Sequence, residues 1–594
     1  MTEIVVRYYV FKNDLRPKER HVKILKTANI ERLENVIGQS LNAEGRITLW
    51  KSKKNTGNTY SDLLERLHKA QNVLSKVCDE LSDWEATVGS LVSASSFRSA
   101  KIPMLIAEIL EQPRVNRDPS EESDLQSESG ELVGMMRAQF RQTVTNVRSG
   151  PTPSLSAQPR NYIAFQNGTT PITDGRYGKS VNDPGIPVEL FHPAFAEFRS
   201  VANDNTQQPP LDLIELTLDF MRGVARISTD EASRQGFTRR MLAEIISVGV
   251  VQTVNSNKSS ADHIVLNMTH GAAALAVIEE KPELGHSGEG SVQGSFSYLQ
   301  HWSDVQQEPL SLSCFCPSFI VSVAGPWISI CGAVFTTKAV VQRLTDYIWL
   351  GNGRAIDDIN TLRIARILLA LRRGIASLSS FYDSLEIRNT AARFFPLATS
   401  FPQTLGDGSI ALVRFQYLEP LKGIDSSCLA FLAINQETHE RYVVKFVEQY
   451  GQHAHRLLAD SNDAPKLLHC GSVWGDDGLD RGCQPRKMVV MEYVPGEVLA
   501  KKATSVVRSA VESVIQKLHS ANLVHGDIRQ PNILIAEGSG APATRVKILD
   551  FDWAGIEGET KYPLNLSKMV DWAAGVRDYA LIKKAHDLEM VSKL

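Results

Sequence analysis

The sequence predicts an α+β multidomain protein. Its 594 residues are too many for a single hydrophobic core. The chain begins with a strand, strand, helix, strand order, and later segments alternate between helical and extended patterns. We therefore expect folded units at residues 1–113, 186–390 and 391–594, with a flexible linker at 114–185.

Composition gives few clues to a partner. Lys and Arg total 64 against 67 Asp and Glu, so the net charge is -3 and any basic nucleic-acid surface must be local. The seven cysteines are scattered, and the nearest pair, Cys314 and Cys316, lacks the CxxC spacing of zinc sites. Reduced, buried thiols are the expected state.

Two segments bear on targeting. Met1–Phe11 shows no basic stretch leading into an apolar one, so no conventional secretory signal is predicted. Residues 309–337 carry no charge, but Gly325-Pro326 separates two short apolar runs. This pattern favours a buried β-hairpin over a membrane span.

The first unit has the element order of a ubiquitin-like β-grasp fold. The expected elements are strands Ile4–Phe11, His21–Leu25, Ile47–Lys51 and Ile102–Leu110, helix Asn29–Ile37 and a helix-rich stretch at Ser61–Val92. The acidic run Asp118–Asp124 and the prolines at 151, 153 and 159 then predict the flexible linker, in which Leu132–Val147 is the one helical pattern.

The middle unit is expected to have an α/β core. Its predicted elements are helices Leu211–Val224 and Asp230–Val248, strands Asp262–Asn267 and Ala274–Lys281, helix Ser291–His301, the hairpin, and a helix after Thr337.

A metal site is predicted at one strand end of this core. Side chains alternate along a strand, so Glu279 and Lys281 share a face, and Asp262 stands at the head of the preceding strand. Asp262 and Glu279 would bind Mg²⁺, and Lys281 would act on a water or the scissile phosphate of DNA. Glu280 or Glu283 is the alternative ligand, and a solvated strand end with an incidental salt bridge is the alternative to a site.

This pattern resembles the restriction-endonuclease-like, PD-(D/E)XK superfamily, whose members often carry a Gln/Tyr helix. Gln293 and Tyr298 lie on the helix that follows. The proline expected before Asp262 is replaced by Ala261.

The string from His525 to Asn532, followed by Asp550-Phe551-Asp552, predicts the catalytic and metal-binding loops of a kinase-like phosphotransferase. Asp527 would orient the acceptor hydroxyl, and Asn532 and Asp550 would bind Mg²⁺. Arg529 would hold the transferred phosphate.

The nucleotide residues are predicted upstream. Lys445 is the inward lysine of an apolar strand and would contact the ATP phosphates. Glu492 and Val494 end another buried strand, at the place where backbone groups pair with adenine. Ser505 is expected to cap the helix that leads to the catalytic loop.

The kinase pattern is incomplete. The best candidate for a glycine-rich loop, residues 421–427, has one glycine, and His453 and His455 stand where a glutamate partner for Lys445 is expected. Asp460 and Glu448 are the alternative partners. Gly526 replaces an arginine, and 44 residues follow Asp550, which predicts a compact second lobe.

The last third of the chain resembles the kinase-like domains of fungal Crinkler-type proteins, on the stretches VVKFVEQYG, APKLLHCG, VVMEYVPG, LVHGDIRQPNILI and DFDWAG. ITLWKSK and IPMLIAEILEQP are similar to the Crinkler header, and ALAVIEEKPELG to accompanying nuclease-like domains. The resemblance implies a secreted effector that acts on proteins in a host cell, often in its nucleus.

Three hypotheses follow. The first is an ATP- and Mg²⁺-dependent protein Ser/Thr kinase. The second is a metal-dependent DNA nuclease whose kinase-like region is regulatory or inactive. The third is a nucleotide-binding or docking pseudoenzyme, which the missing glycine loop and helix glutamate favour.

Overall fold

The structure of the protein is a computed structural model. It describes backbone and side chains of residues 131–178, 185–227, 235–252, 261–285, 288–351, 358–404, 408–421, 429–474 and 486–594, and backbone alone at 3–11, 18–25, 46–52, 78–80, 105–110, 122–130 and 231–234. By internal contacts the chain divides into Met1–Glu122 and Ser123–Leu594.

The first unit contains a five-stranded mixed sheet. Its strands are β1 (Glu3–Phe11), β2 (Lys18–Leu25), β3 (Arg46–Ser52), β4 (Cys78–Glu80) and β5 (Leu105–Leu110), in the order β2-β1-β5-β3-β4. The central pair β1 and β5 is parallel, and the other pairs are antiparallel. The expected helix Asn29–Ile37 lies outside the described residues, so the ubiquitin-like fold stays a prediction. β4 lies within the stretch that was expected to be helical.

The region expected to be a flexible linker is largely helical and packed. Its helices are α1 (Glu122–Ser149), α2 (Pro153–Ser156) and α3 (Pro159–Gln166). Phe140 of α1 is buried, with its ring 4.8 Å from that of Phe335. The helical pattern predicted at Leu132–Val147 lies within α1, and Met136, Phe140 and Val147 of its apolar stripe are buried. The acidic and proline-rich composition of the region did not indicate this packing.

The middle region places helices around a seven-stranded sheet. The first elements are α4 (Pro193–Asn203), α5 (Leu211–Val224), α6 (Glu231–Ile246), β6 (Val250–Val251), β7 (His263–Asn267), β8 (Ala273–Lys281), α7 (Gly290–Ser303) and α8 (Glu308–Ser313). β9 (Ser318–Ala324), β10 (Trp327–Phe335), β11 (Ala339–Arg343), β12 (Ile348–Trp349) and α9 (Asp358–Asp383) follow.

The strand order is β11-β10-β9-β8-β7-β6, with β12 beside β10. β8 and β9 are parallel and are joined through α7, as a parallel pair requires a crossover. β9 and β10 form the predicted buried hairpin. After Thr337 the chain continues as β11, and the expected helix begins only at Asp358. No helix in the described part of the chain is long and apolar enough to cross a membrane.

A six-stranded antiparallel sheet follows. It consists of β13 (Ser400–Thr404), β14 (Ile410–Pro420), β15 (Ala430–Asn435), β16 (Arg441–Val447), β17 (Leu467–Ser472) and β18 (Lys487–Glu492), with α10 (Gln452–Asp460) between β16 and β17. The strand order is β13-β14-β15-β16-β18-β17.

The rest of the chain consists of short strands and α-helices. It contains β19 (Gly496–Val498), α11 (Ser505–Ser520), β20 (Leu523–Val524), β21 (Ile533–Ala536), β22 (Val546–Ile548), β23 (Gly555–Ile556) and α12 (Lys584–Lys593). Thr504, rather than Ser505, caps α11, because its side chain accepts from the Val507 amide.

The main hydrophobic core does not end at residue 390. One cluster joins buried residues of the seven-stranded sheet, such as Phe319 and Phe335, to Phe395, Phe415 and Phe431 of the six-stranded sheet. A second cluster lies around α11. The middle region and the six-stranded sheet therefore share a core.

Phe140→Ala tests whether α1 is part of this core. We expect a loss of roughly 3–5 kcal/mol of unfolding free energy, the usual cost of removing a buried aromatic ring. The denaturant midpoint of the full chain measures it. Met135→Ala, at a neighbouring position that is 54% exposed, is the control. Equal, small effects of the two substitutions would contradict the packing of α1.

Two candidate active sites

The first candidate site forms where β16 faces the loop after β22. Lys445 of β16 donates from Nζ to Asp550 Oδ1 and to Asp552 Oδ1, each at 2.7 Å. Its side chain is 18% exposed. Burial alone would lower the pKa of Lys445, but the two carboxylates outweigh burial and raise it. Lys445 is therefore a cation held between two acids.

The two carboxylates differ in their ionisation. Burial and the negative charge of Asp550 together raise the pKa of Asp552 to about 7. The positive charge of Lys445 lowers this pKa, but by less than the other two effects raise it. The charge of Lys445 overcomes burial at Asp550 and lowers its pKa. The ion pair with Lys445 therefore favours the charged form of Asp550.

The predicted catalytic Asp527 is tightly held. Arg529 donates to its two carboxylate oxygens, from Nε at 2.5 Å and from Nη2 at 2.7 Å. Asn532 Nδ2 donates to Asp527 Oδ2 and to its carbonyl oxygen, both at 2.8 Å. The Arg529 guanidinium also lies over the Trp572 ring. These contacts fix the direction of the Asp527 carboxylate.

β21 and β22 bring the two candidate metal ligands together. Asn532 directly precedes β21, and its carbonyl accepts from the Leu549 amide at 2.9 Å, one residue before Asp550. Asp550 has φ of +67°, an unusual conformation that turns the chain after β22. A carboxylate and an amide oxygen, completed by water and phosphate oxygens, suit Mg²⁺. The residues present therefore fit this ion.

Helix α10 does not supply the partner of Lys445. His455 is fully buried, its ring stacks on that of Phe551 at 4.5 Å, and it bonds the Pro465 carbonyl. Burial lowers its pKa to about 4. A neutral imidazole thus holds Phe551 at this position.

Neither alternative acid takes its place. Glu448 bonds Arg486 at 2.7 Å and is 71% exposed. Asp460 lines a separate cavity of about 390 Å³ together with Arg456 and Glu492. The acids beside Lys445 are Asp550, predicted as a metal ligand, and Asp552, for which no role was predicted.

The predicted adenine-binding residues lie at the end of β18, the neighbour of β16. Glu492 exchanges hydrogen bonds with Lys466: its amide donates to the Lys466 carbonyl at 3.0 Å, and its carboxylate accepts from the Lys466 amide at 2.8 Å. Val494 follows two residues later and is half-buried. The expected glycine-poor loop falls mostly outside the described residues.

Asp587 of α12 supports the predicted catalytic loop, and no role was predicted for it from the sequence. It is 1% exposed and accepts from the His525 amide at 2.9 Å and the Gly526 amide at 2.8 Å. His519 Nε2 lies 3.1 Å from the same carboxylate. No local motif marks Asp587, because its partners lie more than 60 residues away in the chain.

Gly526 is required by the backbone. Its φ is +85°, and a Cβ there would stand 2.8 Å from Ile582 Cδ1. An arginine at this position would therefore be strained by the positive φ and would displace the end of the Ile582 side chain.

The second candidate site lies where β8 ends against α7. Glu279 is fully buried; Gln293 Nε2 donates to its Oε2 at 2.7 Å, and Ser297 Oγ to its Oε1 at 2.5 Å. Lys281 Nζ donates to Gln293 Oε1 at 2.5 Å. Burial, followed by the charge of Asp262, raises the pKa of Glu279 well above its usual range. Asp262, Glu279, Lys281 and Gln293 therefore converge.

The other sequence candidates lie elsewhere. Glu280 points to the opposite face of β8, where it accepts from Thr238 Oγ1 at 2.9 Å and lies 3.8 Å from His263. Glu283 is exposed beyond the strand. Tyr298 is buried and donates to the Cys316 carbonyl, so it belongs to the core. Of the three candidate glutamates, Glu279 is the one whose side chain lies beside Asp262 and Lys281.

Metal binding at this site rests on two carboxylates. No group of three or more His, Cys, Asp or Glu side chains suited to a metal occurs among the residues that the structure describes. Mg²⁺ commonly takes one or two carboxylates and completes its shell with water and phosphate oxygens. Asp262 and Glu279 fit this pattern.

No family model and no curated protein matches the chain. Among solved structures it is similar to PK-1, the kinase of Cydia pomonella granulovirus, with 18% identity and a TM-score of 0.23. The match covers 30% of this chain and 65% of PK-1, slightly less than two thirds of that kinase. The Crinkler resemblance stays a prediction.

Asp587→Ala tests the anchoring of the catalytic loop. It leaves two buried amides without an acceptor, at about 1–3 kcal/mol each, so we expect the melting temperature to fall by several degrees. Asp578→Ala is a matched control, because Asp578 also accepts from two amides, those of Asn565 and Leu566, but is exposed. An Asp587 variant as stable as the control would refute the anchor.

Glu279→Gln tests the buried carboxyl. A raised folded-state pKa means that the folded protein binds a proton that the unfolded chain has lost, so stability falls as pH rises above the ordinary glutamate value. In EDTA, the glutamine variant should match wild type near pH 4 and be more stable at pH 8. Denaturant midpoints at both values measure this. A constant difference across pH would contradict it.

Proposed function

We propose that the C-terminal region transfers the γ-phosphate of ATP to serine or threonine side chains of proteins. The main support for this proposal is that separate segments of the chain place Lys445, Asp550, Asn532 and Asp527 close together. ATP supplies the phosphoryl group, and Mg²⁺ neutralises charge on its phosphates. The chain supplies positioning and a base.

Each residue has a role that its geometry supports. Lys445 is a cation poised to meet phosphate oxygens, while Asp550 and Asn532 offer oxygen ligands to the metal. Asp527, held by Arg529 and Asn532, orients the acceptor hydroxyl and takes its proton. Arg529 is charged and sits beside Asp527, where it can hold the transferred phosphate. The proposed adenine contacts are backbone groups at Glu492 and Val494.

Labelled ATP and a general protein substrate test this proposal. Asp527→Ala, Asp550→Ala and Lys445→Ala should each lower transfer by roughly 100-fold or more, since proton transfer and charge stabilisation are lost. Glu437→Gln, on an exposed turn, is the control. Equal labelling in all variants would refute the assignment. ATP binding without transfer in wild type would favour a pseudoenzyme.

A second candidate function is metal-dependent cleavage of DNA in the middle region. It is favoured by the convergence of Asp262, Glu279, Lys281 and Gln293, which brings two metal-binding oxygen groups next to a cation. Lys281 would stabilise a water or the scissile phosphate. The kinase-like region would then regulate this activity or be inactive.

Plasmid nicking in magnesium tests the second candidate. Glu279→Ala and Lys281→Ala should abolish nicking, whereas Glu283→Gln should leave it unchanged, because Glu283 lies outside the cluster. Nicking that persists in the first two variants would refute the site.

The cellular setting rests on the sequence resemblance alone. We propose a secreted effector that meets protein substrates in a host cell and its nucleus. Tagged protein detected only inside the producing cells would contradict this setting.

A further inference from the structure

The third residue of the metal-binding triplet carries a carboxylate. In Asp550-Phe551-Asp552 this residue is Asp552, whose Oδ1 lies 2.7 Å from Lys445 Nζ. The loop is fixed beside α10: the Gly451 amide donates to the Phe551 carbonyl at 2.8 Å. A Cβ on Gly451 would stand 2.4 Å from the Ala554 carbonyl oxygen, so α10 and the loop are in close contact.

We propose that Asp552 is the positioning residue for Lys445, holding its ammonium group towards the nucleotide phosphates in place of a glutamate from α10. The inference rests on the proposed ATP-dependent function, because it names the residue that prepares the lysine for that ligand.

Asp552 is needed because Asp550 has another role. A buried ammonium group requires a carboxylate partner, since an unpaired buried charge is costly. In the structure Lys445 has two such partners. Once Asp550 binds a divalent cation, Asp552 is the carboxylate that remains for Lys445. Two acids therefore serve two cations.

Helix α10 offers no competing acid. Its buried residues are Ala454, His455 and Leu458, none of which carries negative charge. His455 is already bonded to Tyr450 and to the Pro465 carbonyl. The inner face of α10 thus packs on Phe551, and the acids that partner Lys445 come from the loop after β22.

This arrangement has a consequence for regulation. In kinases that pair the lysine with a glutamate of the helix, the position of that helix controls the site. Here the lysine and its partner belong to β16 and to the loop after β22. Displacement of α10 would therefore act on this pair only through the loop, which α10 contacts at Phe551.

Substitution of Asp552 in the full-length chain tests the proposal. Asp552→Asn keeps the shape of the side chain and removes its charge, Asp552→Gly removes the side chain, and Asp552→Glu restores the charge. The measurements are the Kd of ATP with Mg²⁺ by calorimetry, and KM against kcat where transfer occurs. Glu448→Gln, near α10 and exposed, is the matched control.

We expect Asp552→Asn and Asp552→Gly to weaken ATP binding roughly 10- to 100-fold, as for loss of a hydrogen bond to a charged group. Asp552→Glu should recover most of the affinity. KM should rise more than kcat falls. A melting temperature for Asp552→Asn close to that of wild type excludes a merely structural effect.

Three results would overturn the inference. ATP binding by the Asn and Gly variants as tight as in wild type would show that Asp552 does not position Lys445. A defect that disappears at saturating Mg²⁺ would make Asp552 a metal ligand instead. No ATP binding by wild type would remove the lysine's proposed ligand. Wild type that binds ATP without phosphoryl transfer defeats only the proposed function, because the binding comparison still decides the role of Asp552.

Discussion

The C-terminal candidate site depends on the ion pairs that the buried ammonium group of Lys445 forms with two aspartates. This group joins β16 of the six-stranded sheet to Asp550 and Asp552, which follow β22. Lys445 lies more than a hundred residues before its two partners in the chain. Forming these ion pairs therefore costs chain entropy, and burying their charges costs hydration energy. β21 and β22 offset part of this cost, because they hold the loop that carries Asp550 and Asp552 beside Asn532.

Both candidate sites use the same physical arrangement. A carboxylate lies at the end of a buried strand or in an adjoining loop, and donors from other side chains hold each of its oxygens. Gln293 and Ser297 hold Glu279, as Arg529 and Asn532 hold Asp527. Such donors fix the direction of a carboxylate and offset the loss of its hydration. Side chains of the protein itself therefore set the direction of both carboxylates.

The two sites belong to one packed body of chain. The seven-stranded and six-stranded sheets share a hydrophobic core, and Arg486 beside β18 forms an ion pair with Glu189 of the middle region. Trp474 also donates to the Glu189 carbonyl. A core that crosses the expected boundary at residue 390 limits independent movement of the six-stranded sheet, because sliding it would expose aromatic rings such as Phe395 and Phe431.

The sequence by itself determined the local features. Alternation along β8 put Glu279 and Lys281 on one face, the uncharged stretch around Gly325 was a hairpin, and spacing selected Lys445, Asp527, Asn532 and Asp550. These follow from periodicity and short-range order, which neighbouring residues encode. Tertiary structure decided which groups meet: Glu279 rather than Glu280, Asp552 rather than an acid of α10, and Asp587 beneath the catalytic loop. It also packed α1, whose acidic, proline-rich surroundings indicated a linker. The reason is that contacts between distant segments depend on how strands pair and helices pack, and residue spacing along the chain does not specify them.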